Sequence, residues 1–235
     1  MKKSVFAAIC AVVSVFICAL IVCINALAAT VPVFAAAPQG MHVVIDAGHG
    51  GMDGGVTGIK TGVKESEVNL QIAFALKTAL EEMGFTVTMT RKTSSGLYDF
   101  PTKGFKRRDM QARKDIIQAA NPDFVLSIHQ NRYASQKTRG AQVFYNTAVE
   151  ESFYLAQSLQ TSLNALYQTQ GVKERKEMQG DFFILSCVPV PSVIIECGFL
   201  SSPDDEALLC SAEWQSQISS SVIVGLMAYF SLSSS

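Results

Sequence analysis

The feature that most constrains the fold is a set of short apolar runs, each ending at a residue capable of chemistry. His42–Asp46 enters the glycine-rich stretch Ala47-Gly48-His49-Gly50-Gly51, Phe124–Ile128 is followed at once by His129, and Val193-Ile194-Ile195 by Glu196. Runs of this length bounded by glycine or polar residues read as buried strands entering loops. Phe85–Thr90 alternates and reads as a strand; Ala141–Tyr145 is expected to be a short strand and, beyond a charged stretch at 170–180, Phe182–Cys187 is a candidate for another. Between them the period changes. Val68, Ile72, Leu76 and Leu80 recur every fourth residue within Glu65–Met83, and Gly84 is placed to end that helix. Helices are also expected over Asp109–Ala120, stopped by Asn121-Pro122, and over Glu150–Tyr167, with Arg91–Arg108 a polar loop. Ser202-Pro203-Asp204-Asp205 joins a cap residue, a first-turn proline and an acid, a helix start. A last helix carries Trp214, Ile218, Val222 and Phe230, a stripe that reads as core. Strands alternating with helices predict one α/β domain with a mostly parallel twisted sheet flanked by helices.

The first 40 residues differ from the rest. They carry only Lys2 and Lys3 as charges, and Ser4 to Ala29 is an uncharged run of 26 residues. Such a run is longer than the apolar part of a secretory signal and could span a bilayer, yet Ala26-Leu27-Ala28 and Ala35-Ala36-Ala37 both resemble cleavage sites. The division expected is therefore a signal peptide or membrane anchor over 1–29, a proline-bearing linker over 30–41, and a catalytic domain over 42–232. Either form of leader exports the domain, because the two lysines hold the N-terminus inside. Of the 19 Lys+Arg in the chain, 17 lie beyond residue 40, against all 20 Asp+Glu, so the domain is slightly acidic. That argues against a nucleic-acid partner. One apolar segment is too few for a polytopic membrane protein, and the composition beyond it is too apolar for disorder. Cys187, Cys197 and Cys210 form an odd, sparse set and read as small buried hydrophobes.

His49, His129 and Glu196 each stand at the C-terminal end of an expected strand, where parallel sheets open the crevice that binds ligands. Glu65 opens the following helix and can fold back to the same rim. Two imidazoles and a carboxylate with an open position make the donor set of a catalytic zinc site. A second carboxylate beside it can move the proton of a water toward a leaving amine. The alternative at this point is that His49 and His129 are loop histidines that never meet, since no H-x-x-x-H or H-E-x-x-H motif joins them. A serine hydrolase lacks its G-x-S-x-G, and the glycine loop lacks the lysine of a phosphate-binding loop.

Val44-Ile45-Asp46-Ala47-Gly48-His49-Gly50-Gly51 with Asp53-Gly54-Gly55 resembles the opening motif of zinc-dependent N-acetylmuramoyl-L-alanine amidases. Lys64-Glu65-Ser66-Glu67-Val68-Asn69-Leu70, Thr90-Arg91, Ser127-Ile128-His129-Gln130-Asn131 and Glu196-Cys197-Gly198-Phe199-Leu200-Ser201 resemble its later motifs, in order. The resemblance covers about residues 42 to 230. Thr102 to Arg108, Ser135-Gln136-Lys137 and Gly140-Ala141-Gln142 are similar to the CwlD-like sporulation and germination branch. It implies one zinc ion per chain on His49, Glu65 and His129, with Glu196 as catalytic base and acid. It implies peptidoglycan as substrate, cut between N-acetylmuramic acid and the L-alanine of the stem peptide. In that branch the cut precedes muramic-δ-lactam formation in the spore cortex. It further implies an extracytoplasmic enzyme, secreted or membrane-attached through its leader, and leaves room for an activating or positioning protein partner. Gln130 and Ser202 depart from the residues frequent in the family and lie outside the proposed chemistry. The rivals are a zinc hydrolase acting on a peptide bond or sugar N-acetyl group, and a wall-binding module without catalysis.

Further expectations concern the neighbours. Glu65 and Glu67 cannot both face a metal, because two residues turn a helix by about 200°; the motif register favours Glu65. Asp46 reads either as partner to a ligand imidazole or as a solvated strand-end acid. Substrate contacts are expected from Arg91, Asn131, Gly50 and Gly51, with a structural ion pair the alternative for Arg91 and loop geometry for the glycines. Lys103, Lys106, Arg107 and Arg108 form a basic loop that is either a solvated face or an attractor of anionic polymer.

Overall fold

The structure, a computed structural model, describes residues 40–233; the leader over 1–29 and nearly all of the linker lie outside the described residues. Six strands form one sheet in the order β2-β1-β3-β6-β4-β5. β1 (His42–Ala47), β2 (Thr86–Met89), β3 (Phe124–Asn131) and β6 (Ser192–Phe199) run parallel, as the apolar runs predict. β4 (Gln142–Tyr145) is antiparallel to β6 and carries the two-residue β5 (Met178–Gln179) on its outer edge. The helices are α1 (Glu65–Glu82), α2 (Phe105–Ala120), α3 (Glu151–Gln168), α4 (Pro203–Leu209) and α5 (Ala212–Ser233). Among the described residues no helix is long and apolar enough to cross a membrane.

Strand side chains alternate between the faces of a sheet, and here the two faces are covered unequally. Val43, Ile45, Ala47, Leu126, Ile128, Val193 and Ile195 join the large core, which α1, α3 and α5 close with Val68, Ile72, Leu76, Leu155, Leu159, Trp214, Ile218 and Val222. The intervening Val44, Val125 and Ile194 meet a small cluster with Ile117, Ile184, Leu185 and Cys187. Two residues further along the same face stand Asp46, Ser127 and Glu196. A polar lane at the C-terminal end of the sheet thus continues an apolar one, and the open cleft lies over it.

Several expectations change. Phe182–Cys187 does not form a strand: Phe183–Ser186 is a 3-10 helix, whose Ile184 and Leu185 cover the small cluster. α2 begins at Phe105, four residues earlier than its sequence suggests. Its first turn holds three cations and no acid, against the helix dipole, and Gly104 offers no side-chain cap. Tertiary contacts hold that end: Phe105 packs edge-on against Tyr98 at 5.0 Å, and Asp109 accepts the Leu97 N–H at 2.6 Å. The Ser202 cap forms as expected, accepting from Asp205 N. Cys187 and Cys197 are buried, but Cys210 is exposed.

Candidate metal centre

His129 and Glu196 are cross-strand partners in register, inside β3 and β6 rather than beyond their ends. The sheet therefore fixes both before any loop contributes. Glu65 is the first residue of α1, where the positive end of the helix favours an anion. His49 follows β1 with φ at +61°, a backbone state that non-glycine residues seldom adopt. Its neighbour Gly48 must lack a side chain, because a Cβ there would lie 2.2 Å from His129 Nε2.

These four elements bring His49 Nε2 to 3.2 Å and His129 Nδ1 to 2.9 Å from one oxygen of Glu65, with the imidazole rings edge-to-face at 4.9 Å. The three donor atoms lie within 4.8 Å of one another. Donors about 2.0–2.1 Å from a tetrahedral zinc are roughly 3.3 Å apart, so the set fits such an ion. Glu65 is buried beside the two imidazoles while Glu67 is exposed on the helix. The other Glu65 oxygen accepts the Val56 N–H at 2.7 Å, and Gln130 N–H and Asn69 Nδ2 reach the first at 3.1 and 3.4 Å.

The field around these atoms suits a cation. Burial opposes a charged Glu65, but hydrogen bonds and charge from His129 and His49 outweigh it and lower its pKa. Burial likewise opposes protonated His49, yet Glu65 and Asp53 raise its pKa. Asp53 Oδ2 stands 3.1 Å from His49 Nδ1, and its other oxygen accepts from Lys106 Nζ at 3.0 Å. A carboxylate behind a ligand imidazole fixes the ring and its tautomer. Glu196 differs: burial pushes its carboxyl up to about 7, against the opposing influence of His129, and its Oε2 is buried with no hydrogen-bond partner. A carboxyl near 7 in a cleft suits proton transfer at neutral pH.

The cleft measures about 730 Å³ and is lined by His49, Asp53, Glu65, His129, Asn131 and Glu196 on its polar side. Asn131 thus stands where a ligand can reach it. Arg91 does not. It is 3 % exposed and spends its donors on the carbonyls of Ala47, Gly48, Ser66 and Thr93, so it clamps the glycine loop to α1 instead of offering a fork to substrate. Gly50 and Gly51 are not among the cleft-lining residues; a Cβ would meet Ser95 O at 2.7 Å or Tyr98 Oη at 2.4 Å, so their lack of a side chain admits the neighbouring loop. Asp46 is neither an imidazole partner nor solvated. It is buried against Arg113 at 2.6 Å, with Thr90 and Ser127 both at 2.7 Å. Burial raises its pKa, but Arg113 and the two hydroxyls outweigh that and hold it at about 2.

Sequence reasoning does not single out Arg113, which also binds Asp109, Ala47 O and, at 2.6 Å, His49 O. The available signal is spacing: Asp109, Arg113 and Ile117, four apart, are the buried residues of α2.

The sequence family described as N-acetylmuramoyl-L-alanine amidase matches residues 43–228. A germination-specific N-acetylmuramoyl-L-alanine amidase of Bacillus subtilis is 34% identical over 195 residues, 82% of this chain and 81% of that protein. The N-acetylmuramoyl-L-alanine amidase AmiA of Escherichia coli is 28% identical, with 80% of this chain and 75% of that protein aligned. Among solved structures, the CwlD amidase of Clostridioides difficile, in complex with the GerS lipoprotein, superposes with a TM-score of 0.77 at 31% identity, covering 82% of this chain and all of that one.

Proposed function

The chain belongs to the N-acetylmuramoyl-L-alanine amidase family, and on that premise we propose that it is a zinc-dependent peptidoglycan amidase of spore-cortex maturation or wall turnover. His49, Glu65 and His129 are its metal ligands and Glu196 its catalytic residue. The observation that carries this reading is the convergence of those three donors beside a buried, unpartnered Glu196 oxygen in one open cleft.

Zinc bound there would acidify a water and polarise the amide carbonyl. Glu196 takes the proton from the attacking water as its oxygen adds to the lactyl carbonyl carbon. The carbon–nitrogen bond then breaks, and Glu196 gives the proton to the departing alanyl nitrogen. The products are a lactyl carboxylate and a stem peptide with a free L-alanine amine. Asn131 is the polar contact we assign to substrate.

The substrate lies outside the cytoplasmic membrane, so export by the leader over 1–29, cleaved or retained, belongs to the same reading. So does a protein partner, because the similar CwlD amidase is in complex with a lipoprotein.

The test is digestion of purified wall with and without a chelator, read by mass spectrometry. Stem peptides beginning with L-alanine, lost with chelator and lost in Glu196→Gln although that variant keeps its zinc, are expected. Released acetate, or cuts within the stem peptide, would overturn the reading.

A further inference from the structure

The metal cleft has a second wall that the chemistry of hydrolysis does not use. Phe105, Met110, Phe182, Phe183 and Ile184 line it along with the polar residues. Phe182 and Phe183 are 41% and 49% exposed, while Ile184 and Leu185 beside them are buried. Two phenylalanines left half in water cost free energy that a buried arrangement would recover. Sequence alone gives no reason for them, because the segment reads there as a strand.

Each ring has a neighbour in the fold. Phe182 packs edge-on against Phe144 of β4 at 5.4 Å, and Lys114 Nζ of α2 stands 6.0 Å from the Phe183 ring centre. The 3-10 helix that carries Phe183 is anchored by Ile184 and Leu185 in the small core cluster. The wall is therefore continuous with the catalytic cleft.

Resting on the amidase reading, the two halves of the substrate differ in what they can offer such a wall. The stem peptide begins with a methyl-bearing alanine and continues into carboxylates, which suit Lys106 and Arg132 at the same cleft. The sugar is a rigid pyranose with a broad face of polarised C–H groups. Those groups fit the negative face of an aromatic ring. Of the two halves, the sugar is the one that offers a rigid C–H face to an aromatic ring. We propose that Phe182 and Phe183 form a sugar subsite that seats the pyranose bearing the scissile lactyl amide, so that the enzyme selects amides attached to a glycan over the same amide on a free lactyl peptide.

The experiment compares N-acetylmuramoyl-L-alanyl-D-isoglutamine with D-lactoyl-L-alanyl-D-isoglutamine, which shares the scissile bond and lacks the sugar. The full-length zinc-loaded enzyme is expected to prefer the first. In Phe182→Ala and Phe183→Ala the ratio of the two kcat/KM values should fall roughly tenfold per ring, mostly through KM, while Phe183→Tyr keeps it. A ratio unchanged in both alanine variants, at normal zinc content and Tm, would overturn the subsite.

A second measurement separates this idea from the amidase reading. Peptide-free glycan strands are titrated into Glu196→Gln protein and into its Phe182→Ala and Phe183→Ala derivatives, followed by NMR. Loss of glycan binding with the phenylalanines supports the subsite even if neither small substrate is hydrolysed. Equal glycan binding in all three proteins refutes it even if both are.

Discussion

Replacing Arg113 by Met tests whether the polar lane beneath the site is a structural device. Arg113 is 1% exposed and joins Asp46, Asp109, Ala47 O and His49 O, so its removal leaves the buried Asp46 carboxylate without its cation. Breaking a buried pair from one side costs about 3–5 kcal/mol. For a domain of this size each kcal/mol moves Tm by about 2–4 °C. The expected loss is therefore roughly 10 °C at pH 7, measured by calorimetry in chelator so that metal binding does not mask it. The pH dependence gives a sharper check. Asp46 is held at a pKa of about 2 in the folded protein, against 3.8 for an unperturbed aspartate. Its contribution, on the order of 2 kcal/mol, is thus complete above about pH 5 and is lost as pH falls toward 2. Without Arg113 the carboxyl can be buried neutral, so the gap between wild type and variant should shrink at pH 3. Adding Asp46→Asn to Arg113→Met should cost less than the two single changes summed. A Tm loss under about 3 °C, or a gap that is the same at pH 3 and pH 7, would refute the reasoning.

Asp53→Asn should weaken zinc binding about 10- to 100-fold in competition with a chromophoric chelator, because the carboxylate that orients His49 is lost; unchanged affinity would remove Asp53 from that role. Arg91→Met should lower Tm and expose the glycine loop to proteolysis, since four carbonyls lose their donor. A variant that only raised KM would instead make Arg91 a substrate contact. Gly48→Ala should fold but bind zinc weakly, its methyl displacing the His129 ring; full zinc occupancy at micromolar metal would contradict the close approach.

The residues that were legible in the sequence and those that were not differ in the range of the forces that place them. β1, β3 and β6 announce themselves because each is buried on both faces, and unbroken apolar runs are the local trace of that burial. Two of the site residues follow from those strands, because parallel pairing puts equivalent positions side by side and so brings His129 level with Glu196 over 67 residues of chain. Arg113 has no such trace. It lies in a helix where Asp109 and Ile117 are the only other buried residues, and a charged side chain on a polar helix ordinarily faces water. It faces inward because Asp46 and Ser127 fall on the sheet face that α2 covers, which is a property of the pairing of β1 with β3 and of no single segment. The same holds for Phe182 and Phe183. Their hydrophobicity suggests a strand, but β4 turns antiparallel to β6 and takes only a two-residue partner on its outer side, leaving the segment to fold as a 3-10 turn over the cleft. Sequence therefore locates the reacting groups, which stand on the strands or on the segments that directly follow β1. The groups that orient them and shape the cleft depend on which face of the sheet each covering element meets, and that is decided only when the sheet is assembled.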